Sequence, residues 1–98
     1  MLGIKGAGLA GLAQLLAARG VDVCGSDTSE EFFTDELLRK KGIPIEDFSE
    51  SNITTSLDLV IYSTAYPLSH PELVAALAQK IPIMSYPEAL AYLFNASF

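Results

Sequence analysis

The sequence predicts an α/β domain with a doubly wound, parallel, five-stranded sheet and helices on both faces. Half of the 98 residues are hydrophobic, which is the apolar share that a sheet buried on both faces requires. Short apolar runs alternate with helical patterns, and a glycine-rich turn joins the first run to the first helix. The length fits one domain, which we expect to cover residues 1–98.

The first half of the chain predicts three strands and two helices. Gly20 and Gly42 follow the two helical patterns, as helix-ending glycines do. The second helix is expected to turn Phe33, Leu37 and Leu38 inward. In chain order, the elements are a strand at residues 1–5, a helix at 8–19, a strand at 21–25, a helix at 32–41 and a short strand at 43–45, placed at a sheet edge because it contains Pro44.

The second half begins with an irregular polar segment, residues 46–56, with room for one helical turn. We then predict a strand at 57–63, a helix at 71–80, a strand at 81–85 and a helix at 87–95. Right-handed crossovers give the strand order 3-2-1-4-5 of a Rossmann-like fold. Its ligand crevice lies at the carboxyl ends of the first and fourth strands.

Composition excludes several classes of function. The net charge of −6 argues against a nucleic-acid partner, which would favour clustered Lys and Arg. A single cysteine, Cys24, permits no internal disulfide. No apolar run approaches the roughly 18 residues that span a bilayer, and the first residues lack the basic region of a signal peptide. We therefore expect a cytoplasmic protein with no membrane contact.

The motif with the clearest chemistry is the fingerprint G-x-G-x-x-G, present as Gly6-Ala7-Gly8-Leu9-Ala10-Gly11. In such turns the first glycine allows the tight bend, the second lets a phosphate approach the backbone, and the third lets helix and strand pack closely. Because the motif follows a strand and opens a helix, it predicts a nucleotide phosphate site. The alternative is that the glycines serve packing alone.

Polar residues follow two of the predicted strands. Asp27 could bind a ribose hydroxyl, or it could form a turn or cap a helix. The small pair Gly25-Ser26 before it is expected to leave room for a ring or a sugar. Ser63-Thr64-Ala65 could hydrogen-bond a ligand or close the strand with an ST-turn.

Two basic residues near these loops leave alternatives open. Lys5 could reach a phosphate or extend to solvent. His70, which precedes Pro71, suits helix capping or plain exposure better than catalysis. The sequence contains no cluster with metal-ligand spacing, no nucleophile with an obvious base and no P-loop motif. No complete active site is therefore predicted.

Several ordered motifs resemble the N-terminal domain of the Mur ligases over essentially all 98 residues. The likeness is to the ligases that add L-alanine to UDP-N-acetylmuramate and to their murein-peptide-recycling relatives. The family's glycine turn G-x-G-G-x-G-M-S-G corresponds to residues 3–11, and its G-S-D to Gly25-Ser26-Asp27. Its S-S-A, proline, N-P-E-L and G-I-P-V segments correspond to Ser63-Thr64-Ala65, Pro67, His70-Pro71-Glu72-Leu73 and Lys80-Ile81-Pro82-Ile83.

The resemblance implies a site for the UDP part of UDP-N-acetylmuramic acid or a related UDP-sugar acid. The turn would hold the pyrophosphate with Lys5, Gly6, Ala7, Gly8, Leu9 and Ala10, chiefly through backbone N–H groups. Ribose and uracil would lie near Ser26, Asp27, Phe48, Ser63, Thr64 and Ala65, and Phe48 could stack on uracil where the family's histidine would hydrogen-bond it. Three of these residues depart from the family pattern: Lys5 replaces a glycine, Ala10 a serine and Phe48 a histidine.

The resemblance also implies what this domain lacks. A central domain of the same protein would bind ATP and Mg²⁺, and a C-terminal domain would bring the amino acid, so the 98 residues alone would bind no cofactor and be inactive. Phe94 and Phe98 would leave apolar surface near the end of such a fragment. Two rival hypotheses are an NAD-binding domain of a dehydrogenase or redox-sensing regulator, and a non-enzymatic interaction module with a vestigial glycine turn.

Overall fold

The computed structural model describes the backbone of residues 1–96 and the side chains through residue 93. The exposure expected of Phe94 and Phe98 therefore lies outside the described residues. The four predicted helices are confirmed, as is a helical turn in the irregular segment. The elements are α1 Ala7–Ala18, β1 Gly25–Asp27, α2 Phe33–Lys40, β2 Ile45–Asp47, a 3-10 turn at Glu50–Asn52, β3 Val60–Tyr62, α3 Pro71–Ala78, β4 Ile83–Ser85 and α4 Tyr86–Ala96.

The strands form two parallel pairs, β1 with β2 and β3 with β4, rather than the predicted five-stranded sheet. The first predicted strand is reduced to Leu2, which makes isolated parallel bridges to Ser26 on one side and to Tyr62 on the other. Pairing ends there because Gly3, at φ +81°, turns the chain, so that the N–H groups of Gly3 and Ile4 both donate to the Ser26 carbonyl. The α/β class is thus confirmed.

The strands are shorter than predicted, and two are displaced. The strand predicted at 21–25 pairs only at Gly25–Asp27, which puts Asp27 inside β1 and not after it. The strand predicted at 43–45 begins at Ile45, beyond Pro44, and pairs with β1 alone among the described strands. A strand extends only as far as its neighbour offers backbone partners, and the apolar pattern does not record that limit.

Apolar side chains cover both faces of the strands. Leu2 and Val60 pack with residues of α3, including Leu73. Ile4 packs on the other face with residues of α1 and α2, and Ile61 joins α1 to α4 on that face. Helices therefore flank the strands on both sides, as the composition predicted.

Helix α2 is rotated relative to its predicted orientation. Leu38 is fully buried as expected, but Phe33 is 77% exposed and Leu37 is 41% exposed. The inward positions are instead taken by Thr34 and Asp35, both 2% exposed. The rotation has a polar cause, because both inward side chains bond to Lys5, as the next section describes.

Candidate functional site

The glycine turn leads directly into the start of α1. Gly6 is the N-cap residue, in an extended conformation, and no side chain caps the helix. The N–H of Gly6 donates to the Gly3 carbonyl, and the N–H of Ala10 donates to the Gly6 carbonyl. Over residues 1–96, the N–H groups of residues 7–9 have no acceptor. These three donors, at the positive end of the helix dipole, form a surface suited to an anion.

The glycines of the fingerprint have roles that differ from those predicted. A Cβ on Gly8 would lie 2.8 Å from Cζ of Tyr86, so this glycine makes room for an aromatic ring as well as for any phosphate. A Cβ on Gly11 would meet no atom within 4 Å, so the close packing predicted for Gly11 is wrong. The buried small residues of α1 are Ala10 and Ala13.

Asp27 ends β1 with its carboxylate turned toward the glycine turn. Oδ2 accepts the N–H of Lys5 at 2.8 Å, and Oδ1 accepts the N–H of Thr28 at 2.7 Å. The residue is 5% exposed. The pKa of the Tyr66 phenol is raised, mainly because the phenol is partly buried. The negative charge of Asp27 and its hydrogen bond with Tyr66 add to this effect. The carboxylate of Asp27 therefore ties the end of β1 to the backbone of Lys5 and Thr28, and its contact with a ribose stays a prediction.

Lys5 extends away from the helix start into the loop that joins β1 to α2. Its Nζ lies 3.0 Å from Oδ2 of Asp35 and donates to the carbonyls of Thr28, at 2.9 Å, and Glu30, at 2.6 Å. Its carbonyl accepts the Thr34 hydroxyl. The residue is 8% exposed, so the solvent-exposed alternative is wrong. All three ammonium donors are used within the chain, which leaves none for a phosphate in this conformation.

The same ion pair sets the charge state of Asp35. Burial would raise the pKa of this carboxyl, but hydrogen bonds from Lys5 and the Phe32 backbone, together with the Lys5 charge, lower it below the ordinary 3.8. A carboxyl with a depressed folded-state pKa stabilises the fold above its unfolded pKa. That contribution to stability is lost as the pH falls through the pKa of Asp35 in the folded state.

We therefore expect the stability gap between the wild type and Asp35→Asn to be largest near neutral pH and to shrink below about pH 4. The measurement is the free energy of unfolding in urea at several pH values. Glu36→Gln is the control, because that carboxylate is exposed on the same helix and is not among the groups that lower the pKa of Asp35. A gap that is the same at pH 7 and at about pH 3 would contradict the assignment.

Ser26 points away from the glycine turn. Its hydroxyl donates to Oε1 of Glu72 at 2.6 Å, and the residue is 3% exposed. The space expected beside Gly25 is filled, because a Cβ there would collide with the side chain of Ile4. The predicted room for a ring or sugar at Gly25-Ser26 is therefore wrong, and a contact between Ser26 and UDP is not supported by this geometry.

Glu72 is a buried carboxylate that joins three parts of the fold. Besides Ser26, it accepts the N–H of Ser49 at 3.0 Å and Nδ2 of Asn52 at 3.1 Å, both on Oε2. Within the described residues it has no cationic side-chain partner. The N–H of Glu72 donates to Nδ1 of His70, which caps α3 as predicted. Glu72 thereby fixes the segment that follows β2.

Three aromatic rings cluster on that segment and on the loop after β3. Phe48 packs edge-on against Tyr66 and His70, with ring centroids 5.1 and 4.6 Å away. Tyr66 also covers Gly3, where a Cβ would lie 2.9 Å from its ring. The cluster is only partly buried, so it offers an apolar, aromatic surface at the carboxyl ends of the strands.

The polar end of β3 forms the turn expected as one alternative. The Ser63 hydroxyl accepts the N–H of Ala65 at 3.2 Å, while Thr64 and Ala65 are exposed. The Ser63 O–H and the Thr64 hydroxyl remain able to donate to a ligand. The ST-turn is thus present, and ligand contact stays a prediction.

The described cavities do not coincide with the glycine turn. One, of about 290 Å³, lies behind the β1–α2 loop against Lys5 and Asp35. The other, of about 460 Å³, lies at the amino ends of the strands and includes Met1 and Leu59. The free N–H groups of residues 7–9 lie outside both. Residues 6–8 of the turn are exposed at the surface, and neither of these two cavities encloses the helix start.

The sequence profile described as "Mur ligase family, catalytic domain" matches residues 1–98. The chain belongs to the Mur ligase family. It is 45% identical over 100 residues to UDP-N-acetylmuramate–L-alanine ligase of Treponema pallidum, covering all of this chain and 21% of that protein. It is 41% identical over 95 residues to the ligase of the same name from Desulfitobacterium hafniense, covering 96% and 21%.

Solved structures agree with this family assignment. The crystal structure of UDP-N-acetylmuramate–alanine ligase from Thermotoga maritima matches with a TM-score of 0.85 at 31% identity, over 97% of this chain and 22% of that one. A murein peptide ligase from Psychrobacter arcticus matches with a TM-score of 0.81 at 28% identity, over 88% and 18%. The Mur ligase chain described here thus spans about a fifth of the length of these relatives.

Two features are absent from the described residues of this Mur ligase chain. None of its helices is both long and apolar enough to cross a membrane. No three or more His, Cys, Asp or Glu side chains in that part of the chain group as metal ligands would.

Three residues near the site were not predicted from the sequence. Tyr66 and Tyr86 contact glycines of the first loop, and Glu72 ties the loops together. Tyr66 directly follows the Ser63-Thr64-Ala65 motif, so an aromatic residue next to a candidate ligand loop was an available signal. Nothing local distinguishes Tyr86 or Glu72, because their partners lie far away along the chain.

Proposed function

We propose that this chain is the part of an ATP-dependent Mur ligase that binds the UDP group of UDP-N-acetylmuramic acid or a related UDP-sugar acid. The observation that carries the proposal is the uncapped start of α1, where the N–H groups of residues 7–9 have no acceptor among the described residues. No acidic residue lies in the first turn to neutralise the helix dipole. A pyrophosphate would satisfy these donors at the positive end of the helix.

The nucleoside would occupy the neighbouring loops. Asp27 accepts two backbone N–H groups, and a carboxylate has further lone pairs for a ribose hydroxyl. The hydroxyls of Ser63 and Thr64 lie on the next loop, and Phe48 belongs to the aromatic surface on which uracil could stack. Lys5, Ser26 and the Ala10 side chain are not part of the proposed contact set. The Lys5 ammonium and the Ser26 hydroxyl are bonded to buried carboxylates, and the Ala10 side chain is buried.

The chemistry of the ligase would belong to residues outside this chain. Residues 1–96 hold no group of three or more His, Cys, Asp or Glu side chains placed as metal ligands, and the sequence holds no P-loop, which supports assigning ATP and Mg²⁺ to another domain. We propose a central domain of the same protein for ATP and Mg²⁺, which would activate the substrate carboxyl for amide formation, and a C-terminal domain for the amino acid. Residues 1–98 would supply substrate binding in the cytoplasm, for peptidoglycan synthesis, and would be inactive alone.

The same proposal extends to the sheet. Leu2 already bridges β1 and β3, which gives the spatial order β2, β1, Leu2, β3, β4. We propose that the segment around Leu2 acts as the central strand of one doubly wound sheet. The order is then the Rossmann-like order predicted from the sequence, with the glycine turn at the reversal point.

Calorimetry with UDP-N-acetylmuramic acid and with NAD tests this function. We expect binding of the UDP compound and its loss in Gly8→Asp, since a carboxylate there would repel the pyrophosphate at the helix start and its Cβ would displace the Tyr86 ring. Ala18→Asp is the matched control, with the same charge change about 15 Å along the same helix. Binding of NAD without binding of the UDP compound would instead favour a dehydrogenase or redox-sensing regulator.

A further inference from the structure

Tyr86 lies against the start of α1. It is the first residue of α4, yet its ring packs against Gly8. A Cβ built on Gly8 would lie 2.9 Å from Cε2 and 3.0 Å from Oη of Tyr86. Since a carbon–carbon bond is about 1.5 Å long, Oη is within about 4.5 Å of the Gly8 Cα.

The position of Tyr86 is fixed from two directions. Ser85 and Glu88 form a capping box: the N–H of Ser85 donates to the Glu88 carboxylate at 2.9 Å, and the N–H of Glu88 donates to the Ser85 hydroxyl at 3.3 Å. This box sets the backbone at the start of α4. The ring is held by a cluster that joins α1 to α4 and includes Leu9 and Ala89.

The hydroxyl of Tyr86 is not used by the fold. Among the described residues it has no hydrogen-bond partner, and no unpartnered polar side-chain atom is buried there, so this hydroxyl is reached by solvent. The N–H groups of residues 7–9, beside it, are also unpaired. An unpaired neutral O–H donor and three unpaired N–H donors therefore border the same small region.

The rest of the turn supplies no side-chain donor to this region. The Lys5 ammonium is bound to Asp35, Thr28 and Glu30, and Ala10 carries no hydroxyl and is 2% exposed. A pyrophosphate has more acceptor oxygens than three N–H groups can satisfy. Hydrogen bonds from a neutral donor to an ionised oxygen are stronger than those between neutral groups.

We infer that Tyr86 binds the pyrophosphate of the UDP ligand directly, donating its hydroxyl hydrogen to a phosphate oxygen beside the N–H groups of residues 7–9. This inference rests on the proposed function and adds to it a side-chain ligand that is distant from the glycine turn in sequence. It also explains why Gly8 is glycine. The missing side chain lets the phenol come close enough for its oxygen and the helix donors to reach the same anion.

The test compares uridine, UDP and UDP-N-acetylmuramic acid binding to the wild type and to Tyr86→Phe. The variant keeps the ring in its cluster and removes only the hydroxyl. We expect its affinity for both pyrophosphate ligands to fall about tenfold or more, and its affinity for uridine to stay unchanged. Tyr92→Phe, on the exposed side of the same helix, is the control and should change none of the three.

The outcomes separate this inference from the proposed function. If the wild type binds UDP and Tyr86→Phe binds it equally well, Tyr86 is only a packing residue and the inference is wrong, while the function stands. An equal loss for uridine and UDP would also overturn it, because the effect would not come from the phosphates. If the wild type binds no UDP compound, both proposals fail. Thermal unfolding of the variant, expected near that of the wild type, excludes a folding defect as the cause.

Discussion

Replacing Lys5 by methionine is expected to lower the free energy of unfolding by about 3–5 kcal/mol, because it leaves the buried Asp35 carboxylate with only the exposed Arg39 guanidinium, 3.7 Å away, as a cation. The Lys5 and Asp35 side chains are 7% and 3% exposed, so water cannot replace the lost partner. The carbonyls of Thr28 and Glu30 also lose a donor. Urea denaturation, followed by circular dichroism, measures the change.

The double variant Lys5→Met, Asp35→Leu is the matched control, since it removes the orphaned charge together with its partner. Replacing a buried ion pair by apolar groups of similar size is often close to neutral, so most of the lost stability should return. A cost below about 1 kcal/mol for Lys5→Met alone would show that the ion pair is not a fixed part of the fold.

The helices and the α/β class could be predicted because their signals are local. Pro71 at the start of α3 and Gly20 and Gly42 after α1 and α2 mark helix ends within a few residues. Strand limits could not be predicted in the same way. They depend on which backbone groups lie opposite, and Gly3 ends the pairing of the first segment by turning at positive φ.

The candidate site could be predicted only where its groups belong to the backbone. The turn at Gly6 and Gly8 carries its own signal, and its N–H donors face outward as the fingerprint implies. The side chains of Lys5 and Ser26 were assigned to a ligand because they lie next to that turn and to Asp27. Their true partners, Asp35 and Glu72, are 30 and 46 residues away along the chain. No local pattern in the sequence joins them.

Polar pairing also explains the orientation of α2. Hydrophobic periodicity favours the face that carries Phe33 and Leu37, whereas the fold buries the face that carries Asp35 and Thr34. A buried ammonium requires its carboxylate and its hydrogen bonds, and the cost of leaving it unpaired exceeds the roughly 1.5–3 kcal/mol that burying one apolar side chain contributes. The ion pair therefore determines which face of α2 is buried.

Glu72→Ala is expected to be the other severe substitution, with a loss of about 3 kcal/mol or more, because three donors lose one acceptor. The Ser26 hydroxyl is fully inside the protein, and each unsatisfied buried donor costs about 1–3 kcal/mol. A carboxylate without a cation is itself costly to bury, which reduces the net effect. The three charge-assisted hydrogen bonds outweigh that cost, and the space left by the side chain adds to the loss.

The substitution should also affect the ligand crevice. Glu72 holds the N–H of Ser49 and the amide of Asn52, so the segment that carries Phe48 would be released. Glu72→Gln keeps the volume and one acceptor oxygen, and we expect it to lose less than half as much stability. Hydrogen exchange at Ser49 and Asn52 measures the release apart from global unfolding. Equal exchange in the wild type and in Glu72→Ala would show that the loop is held by other contacts, since a carboxylate that fixes it must slow its opening.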